Sequence, residues 1–150
     1  MKLSILITLL NEELVLAQTH AAISAQLDSM LGKDLSDYEI LYIDDGSNDN
    51  TFDLIEGIAR DNDRVNYIRF SRNFGRESGI LAGFKYATGD AVMVMDGDLQ
   101  HPPYLIPLFL EAYKEGYDIV SGQRTRDGES FVGSSFARLF YFLSNRSMDV

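Results

Sequence analysis

Two aspartates that follow an apolar run are the strongest candidates for chemistry in this sequence. Asp96 and Asp98 come directly after the apolar residues 91–95, a run typical of a strand buried on both faces. Side chains two residues apart on an extended chain point the same way, so both carboxylates would face one side. Gly97 between them would let another group approach the backbone closely. Because neighbouring like charges are costly without a cation, the spacing predicts a bound Mg²⁺ or Mn²⁺ that carries a phosphate-bearing ligand.

Gln100, two residues beyond Asp98, offers an amide oxygen that could join the same metal. A turn residue whose side chain bonds the backbone explains Gln100 equally well. Pro102 and Pro103 then end the strand and can open a helix, because proline is tolerated in a first helical turn. The segment therefore offers two carboxylate ligands, with Gln100 as a third in one of its two interpretations.

Apolar runs that alternate with amphipathic segments form the predicted scaffold around these residues. This alternation is typical of βα units, so we expect an α/β fold with a mostly parallel sheet. In such sheets ligands bind outside the carboxyl ends of the strands. The strands are predicted at residues 3–10, 38–43, 65–70, 91–95 and 119–121. Polar clusters follow them at Asn11-Glu12, Asp44-Asp45, Arg72-Asn73, Asp96-Asp98 and Arg124, which predicts one shared site at that edge.

The first predicted helix should have Asn11 as its N-cap, with Glu12 and Glu13 in a first turn where the helix dipole favours anions. His20 lies on the apolar stripe of this helix and is interpreted as a packed histidine rather than a ligand. Later helices are indicated by Leu54, Ile55 and Ile58, by Ile80, Leu81 and Phe84 on one face, and by residues 103–115 before Gly116.

Asp44 and Asp45 are adjacent, so their side chains alternate and at most one faces the site easily. An acid beside a nucleotide repels phosphates, so its sensible role is to accept hydrogen bonds from a base or ribose. A simple strand-to-helix turn is the alternative interpretation. The loop around Gly75 could cradle a phosphate, but it matches neither the dinucleotide-binding nor the P-loop pattern, which excludes those two classes.

Arg124 and Arg138 are the cationic candidates, because the forked donors of arginine suit phosphate. A surface salt bridge explains Arg138 equally well, and it explains Arg124 less well because Arg124 follows a predicted strand end.

The composition and net charge of the chain exclude some classes of binding site. The chain has 150 residues, 45% of them apolar, and a formal net charge of −10, which argues against a nucleic-acid surface but not against a metal-bridged phosphate substrate. It has no cysteine, so a thiolate metal site is excluded.

No apolar run reaches the length of a transmembrane helix. Residues 3–10 are interpreted as a buried strand rather than a signal peptide. Residues 131–144 are predicted to form a helix that packs on the remainder of a larger fold, with a membrane-interface role as the alternative.

Four motifs in order give a more specific indication. Together they resemble the family 2 glycosyltransferases of GT-A fold, a Rossmann-like three-layer sandwich, and most of all the polyprenyl-phosphate group with its dolichol-phosphate mannose synthases and bactoprenol glucosyltransferases. The motifs are Leu9-Leu10-Asn11-Glu12-Glu13, Ile43-Asp44-Asp45-Gly46-Ser47-Asn48-Asp49-Asn50-Thr51, Arg72-Asn73-Phe74-Gly75 and Asp96-Gly97-Asp98-Leu99-Gln100-His101-Pro102-Pro103.

The resemblance implies a role for each matching position. Asp45 would contact the nucleobase and Glu12 the base or ribose, and the divalent cation would sit on Asp96, Asp98 and Gln100. Asp98 would act in catalysis together with Arg124 and Arg138, which fall where the family binds the acceptor phosphate. The implied nucleotide-binding positions are Thr8, Leu10, Glu12, Asp45, Asn73, Gly75, Asp96 and Gly97.

The sequence departs from the family pattern at several points. Thr8-Leu9-Leu10 stands where the family usually has Pro-Val-Tyr, so Leu10 offers neither a ring nor a hydroxyl. The Gly-Asp-Phe-Arg-Leu-like motif and the C-terminal membrane helices are absent, so we expect the N-terminal, nucleotide-sugar-binding part of a truncated GT-A catalytic domain.

The activity implied by the resemblance is an inverting transfer of a hexose from a UDP- or GDP-sugar to polyprenyl phosphate. We expect it at the cytoplasmic face of a membrane, with this part of the protein soluble and a homo-oligomer left open. Two alternatives stand beside it: extension of a polysaccharide or glycan hydroxyl, and a non-catalytic sugar-nucleotide binding module.

Overall fold

The computed structural model describes residues 1–98 and 102–122, and it confirms an α/β fold. The described helices and strands all lie within one compact unit, Met1–Tyr117. Strands and helices alternate along that unit. In chain order they are β1 (Lys2–Leu9), α1 (Leu16–Met30), β2 (Asp37–Asp44), α2 (Thr51–Asp61), β3 (Val65–Arg69), α3 (Arg76–Tyr86), β4 (Ala91–Asp96) and α4 (Leu105–Lys114).

The described sheet has the order β3-β2-β1-β4, and all its neighbouring strands are parallel. The register keeps the carboxyl ends level. Thr8 pairs with Asp96 on one side of β1, and Leu9 pairs with Asp44 on the other. Asp44 in turn pairs with Arg69 of β3. The polar residues that follow the four described strands therefore meet at one edge of the sheet, as the sequence predicts for those strands, whereas Arg124 lies outside the described residues.

Helices cover both faces of the sheet, which gives the three layers. On one face, Ile5 and Ile7 of β1 pack with Ile23 of α1 and Ile106 of α4. On the other face, Leu6 of β1 belongs to a smaller apolar cluster. Alternate residues of one strand thus serve two cores, and each fully buried aliphatic side chain contributes about 1.5–3 kcal/mol.

Helix α3 approaches the sheet through glycines. A Cβ atom on Gly83 would lie 2.8 Å from Leu6 Cδ1, and one on Gly79 would lie 3.0 Å from Thr8 Cγ2. The apolar face predicted for this helix is not the one that packs on the sheet, because Leu81 is 71% and Phe84 is 51% exposed. Because α3 lies so close to the sheet, the face of the helix that packs on it has room only for glycine at these two positions.

The predicted start of α1 is wrong. The helix begins at Leu16, and its first turn holds no acidic residue, so Glu12 and Glu13 lie before it. Asn11 is not the N-cap: it has a left-handed backbone with φ of 57°, and its side-chain oxygen accepts a hydrogen bond from the Asn48 backbone at 2.8 Å. A contact with another loop therefore replaces the expected local cap.

Two predictions about strands are also corrected. Strand β4 is not buried on both faces, because it lies at the edge of the described sheet and only its residue Met95 is buried. Residues 119–121 do not form the predicted fifth strand, and Ile119 is 88% exposed. A short apolar segment becomes a strand only when a neighbouring strand pairs with it, and no described strand does so.

Two smaller predictions, on His20 and Gly116, are confirmed. His20 is confirmed as a packed histidine: its Nδ1 lies 3.1 Å from the Tyr42 hydroxyl, and burial lowers its pKa. Gly116, with φ of 100°, follows the end of α4 as expected. Among the described residues, no helix is long and apolar enough to cross a membrane. The segment 131–144 lies outside the described residues.

Candidate active site

A cleft of about 280 Å³ lies at the carboxyl edge of the sheet. All of the predicted site residues within 1–98 line it, and Leu9 and Arg76 join them. Gln100, Arg124 and Arg138 lie outside the described residues, so their roles remain predictions. The predicted residues that the structure brings together are Thr8, Leu10, Glu12, Asp45, Asn73, Gly75, Asp96, Gly97 and Asp98.

Asp45 organises the loop between β3 and α3. Its Oδ1 accepts the backbone N–H of Phe74 at 2.7 Å, and its Oδ2 accepts that of Gly75 at 3.0 Å. Asp44 is fully buried; its Oδ1 accepts the Ser47 N–H at 3.1 Å, and its Oδ2 lies 3.5 Å from Arg69 Nε. Of the two acids, Asp45 lines the cleft and Asp44 does not, in agreement with the prediction that only one faces the site.

Gly46 lets the loop after β2 lie directly against the loop after β3. Its φ is 77°, and a Cβ atom there would lie 2.5 Å from the carbonyl carbon of Arg72 and 2.8 Å from the nitrogen of Asn73. Any other residue would both adopt an unfavourable backbone and push the second loop away. Close packing of these two loops places Asp45 beside Asn73 and Gly75.

Polar side chains fasten the loop after β1 to the loop after β2. The backbone N–H of Glu12 donates to Thr51 Oγ1 at 2.8 Å. Glu13 Oε2 accepts two hydrogen bonds from Asn50, at 2.9 Å from the backbone and 2.7 Å from the side chain. Together with the bond from Asn48 to Asn11, these contacts fix the backbone that presents Glu12 to the cleft.

Gly97 is constrained from two sides by the protein itself. Its carbonyl oxygen accepts a buried hydrogen bond from Thr19 Oγ1 at 2.9 Å, and a Cβ atom on Gly97 would overlap Leu9 Cδ2. The close approach predicted for this glycine is confirmed, and the approaching groups are Thr19 and Leu9. These contacts fix the turn between Asp96 and Asp98.

The two aspartates reach the cleft by different routes. Asp96 ends β4, whereas Asp98 lies in the turn beyond it, so strand alternation does not account for Asp98. Asp96 Oδ1 accepts hydrogen bonds from Arg76 Nε at 3.0 Å and Arg76 Nη2 at 2.7 Å. Both carboxylates line the cleft.

Acidic side chains interact across the cleft. Burial raises the pKa of Glu12, and the negative charges of Asp98 and Asp49 raise it further. A cation bound near Asp98 would relieve this repulsion.

The donor set at the strand end fits a hard divalent cation. Asp96 and Asp98 supply carboxylate oxygens, and Mg²⁺ and related ions are commonly held by one or two carboxylates together with substrate phosphates. Within residues 1–98 and 102–122, no group of three or more His, Cys, Asp or Glu side chains is arranged to hold a metal by itself. The two carboxylates that line the cleft leave coordination positions that substrate phosphates can fill.

Arg76 is the charged site residue that the sequence predictions missed. Two signals could have found it: it directly follows Gly75 in a polar motif, and the paired aspartates require a nearby positive charge. Its partner could not be read from the sequence, because Asp96 lies 20 residues further on and meets Arg76 only through the folded loop.

Proteins similar to this chain in sequence are described as glycosyltransferases. The sequence profile described as "Glycosyl transferase family 2" matches residues 4–148. A Bacillus subtilis protein named as glycosyltransferase CsbB is 52% identical over 114 residues, covering 76% of this chain and 35% of its own length. The uncharacterized glycosyltransferase YkcC of the same organism is 39% identical over 148 residues, covering 98% and 45%. The chain spans less than half the length of these relatives.

Solved structures with low sequence identity share the fold. TarS 1-349 of S. aureus superposes with a TM-score of 0.61 at 18% identity, over 87% of this chain and 38% of that one. The mannosyltransferase PcManGT of Pyrobaculum calidifontis, solved with GDP-Man and Mn²⁺, has a TM-score of 0.54 at 18% identity, over 64% and 27%. TarS 1-349 has also been solved with UDP-GlcNAc, and that structure has a TM-score of 0.50 at 18% identity, over 86% and 39%.

Proposed function

Since this chain belongs to glycosyl transferase family 2, we propose that its cleft binds the nucleoside diphosphate of a sugar donor. The chain is part of a glycosyltransferase and has the GT-A fold. The observation that carries the proposal is the convergence of Thr8, Glu12, Asp45, Asp96 and Asp98 on one cleft at the carboxyl edge of a parallel sheet. Structures that share this fold bind GDP-Man and UDP-GlcNAc, which supports a nucleotide-sugar donor.

The nucleoside would lie over the loops after β1, β2 and β3. Asp45 uses both of its oxygens to hold the Phe74 and Gly75 amides, and each oxygen keeps a further lone pair for a donor N–H or O–H of the base. Glu12 would accept a hydrogen bond from the base or ribose. Thr8, Leu10 and Asn73 would complete the walls.

The diphosphate would lie at the end of β4. Asp96 and Asp98, with Gln100, would hold Mg²⁺ or Mn²⁺, and when bound this ion neutralises negative charge on the leaving nucleoside diphosphate. The Thr19 and Leu9 contacts to Gly97 hold the turn in place, so the carboxylates are positioned before the donor arrives. A neighbour of the same fold was solved with Mn²⁺ and GDP-Man, which supports the choice of ion.

We further propose polyprenyl phosphate as the acceptor, held by Arg124 and Arg138. An acceptor oxygen would form a bond to the anomeric carbon while the bond to the donor phosphate breaks, which inverts the configuration in one displacement. A phosphate oxygen is already anionic at neutral pH, so no general base is needed and positioning by arginine becomes the main requirement. Because this acceptor resides in a membrane, the reaction would occur at a membrane surface, and we propose the cytoplasmic one.

A donor screen followed by a transfer assay tests the proposal. Thermal melting with Mn²⁺ and a series of UDP- and GDP-sugars should identify one donor that raises the melting temperature, and the full-length protein should transfer its sugar to undecaprenyl phosphate. Arg124→Ala should weaken use of the acceptor and leave donor binding largely intact. Transfer to a soluble glycan instead would indicate the hydroxyl acceptor, and donor binding without any transfer would indicate a non-catalytic module.

A further inference from the structure

The charges around the cleft are unbalanced. Four carboxylates line it (Glu12, Asp45, Asp96 and Asp98), and among the described residues Arg76 is the one basic side chain in its lining. A nucleoside diphosphate adds further negative charge, so each positive charge near it has a large effect on binding. Arg76 is therefore the described side chain most able to change the preference of the cleft between a cation and an anion.

We propose that Arg76 is an exchangeable counter-ion of Asp96. It holds the Asp96 carboxylate while no metal is bound, and it moves from Asp96 to the donor diphosphate when a divalent cation takes its place. This inference rests on the proposed function, because it requires a metal and a diphosphate in the same cleft.

The geometry of the pair supports exchange. Arg76 Nε and Nη2 both donate to Asp96 Oδ1, so a cation that takes this oxygen must displace both hydrogen bonds together. The side chain of Arg76 is 49% exposed and that of Asp96 is 27% exposed. A half-exposed guanidinium can leave Asp96 at a small cost in free energy, because exposed ion pairs contribute only modestly to stability.

The position of Arg76 also supplies a destination for the displaced guanidinium. It is the first residue of α3, next to the Gly75 amide that Asp45 fixes, and it faces the same cleft as both aspartates. A guanidinium suits phosphate oxygens through its forked donors. Bound there, Arg76 would assist the metal in balancing the charge of the diphosphate.

The exchange predicts opposite effects of one substitution. Arg76→Ala removes one competitor for Asp96, so the affinity for Mn²⁺ alone should rise about 2- to 5-fold. The same change removes a charge-assisted contact to phosphate, so the affinity for UDP or GDP in the presence of Mn²⁺ should fall about 10- to 100-fold. Arg76→Lys keeps the charge without the fork and should lie between the wild type and Arg76→Ala for both ligands.

The test combines titration of Mn²⁺, followed by the electron paramagnetic resonance signal of the free ion, with calorimetry of UDP and GDP in saturating Mn²⁺. Lys85→Ala is the matched control, because it removes a positive charge from the same helix at its other end and should change neither affinity. Thermal melting without ligands establishes that each variant is folded.

Opposite changes in the two affinities would support the inference. If Arg76→Ala weakens both ligands or changes neither, while the wild type binds Mn²⁺ and a nucleotide, the exchange is wrong and the proposed function stands. If the wild type binds no Mn²⁺ even with UDP or GDP, both the exchange and the metal-dependent function are overturned.

Discussion

Gly46 and Arg72 lie in backbone contact, so close that a Cβ atom on Gly46 would lie 2.5 Å from the carbonyl carbon of Arg72. This contact holds the loops after β2 and β3 together, and Asp45 extends it by accepting the amides of Phe74 and Gly75. The loops that form one side of the cleft therefore require glycine at position 46.

Gly46→Ala should destabilise the protein by at least about 2 kcal/mol, because it adds an unfavourable left-handed backbone to a steric overlap. Urea unfolding followed by circular dichroism measures the change. Gly57→Ala is the control: Gly57 lies inside α2, and a Cβ atom there would meet nothing within 4 Å, so alanine should stabilise by about 0.5–1 kcal/mol. Equal stability of the two variants would contradict the importance of this loop contact.

Arg69 should contribute to stability because it is the ion-pair partner of a fully buried acid. Asp44 Oδ2 accepts no hydrogen bond among the described residues and lies 3.5 Å from Arg69 Nε, and the Arg69 guanidinium also lies 3.9 Å from the centre of the Phe52 ring. Arg69→Ala should cost about 1–3 kcal/mol, since the buried carboxylate loses its counter-charge.

Arg60→Ala provides the comparison for this prediction. Arg60 is 74% exposed in its side chain and lies 4.0 Å from Glu56, so its removal should cost no more than about 0.5 kcal/mol. A similar loss of stability in both variants would mean that Arg69 acts as an ordinary surface residue.

Glu39 ties the turn before β4 to the amino ends of β1 and β2. Its carboxylate accepts hydrogen bonds from the Ser4 hydroxyl and from both the backbone and the side chain of Thr88. Burial alone raises the pKa of Glu39, but the hydrogen bonds from Ser4 and Thr88 and the charge of Lys2 outweigh it, so the net shift is downward.

The sign of this shift predicts an acid dependence. A carboxylate with a lowered pKa in the folded state stabilises the fold above the unfolded value, near 4.5 for Glu39, and loses that effect as pH falls through the folded value. The difference in unfolding free energy between wild type and Glu39→Gln should therefore be full at pH 7 and shrink below about pH 4.5. Urea unfolding at pH 7, 5 and 3.5 measures it, with Glu56→Gln as an exposed control. A difference that does not change with pH would contradict the assignment.

The parts of the fold predicted from the sequence follow from periodicity and topology. The apolar runs at Ile5–Ile7 and Ile40–Ile43 form central strands, and parallel pairing then necessarily gathers the polar residues that follow them. For this reason the order of strands and polar clusters along the chain is enough to assign Glu12, Asp45 and Asp98 to one edge of the sheet.

The features that the sequence does not predict depend on tertiary contacts. Asn11 accepts a hydrogen bond from Asn48 instead of capping α1, and the inward face of α3 is the one where Gly79 and Gly83 approach the sheet. The partner of Arg76 depends on where the loop before α3 places a long side chain. Gly79 and Gly83 lie four residues apart on one helix face, but the contacts of Asn11 with Asn48 and of Arg76 with Asp96 have no periodic signal in the sequence.

Asp96 and Asp98 are proposed to provide metal-dependent binding of a nucleoside diphosphate. Calorimetry of UDP and GDP with and without Mn²⁺, on wild type, Asp98→Ala and the exposed control Asp63→Ala, tests it most directly. We predict that the wild type and Asp63→Ala bind one nucleotide only when Mn²⁺ is present, and that Asp98→Ala loses this binding while remaining folded. Unchanged Mn²⁺-dependent affinity in Asp98→Ala would contradict the account.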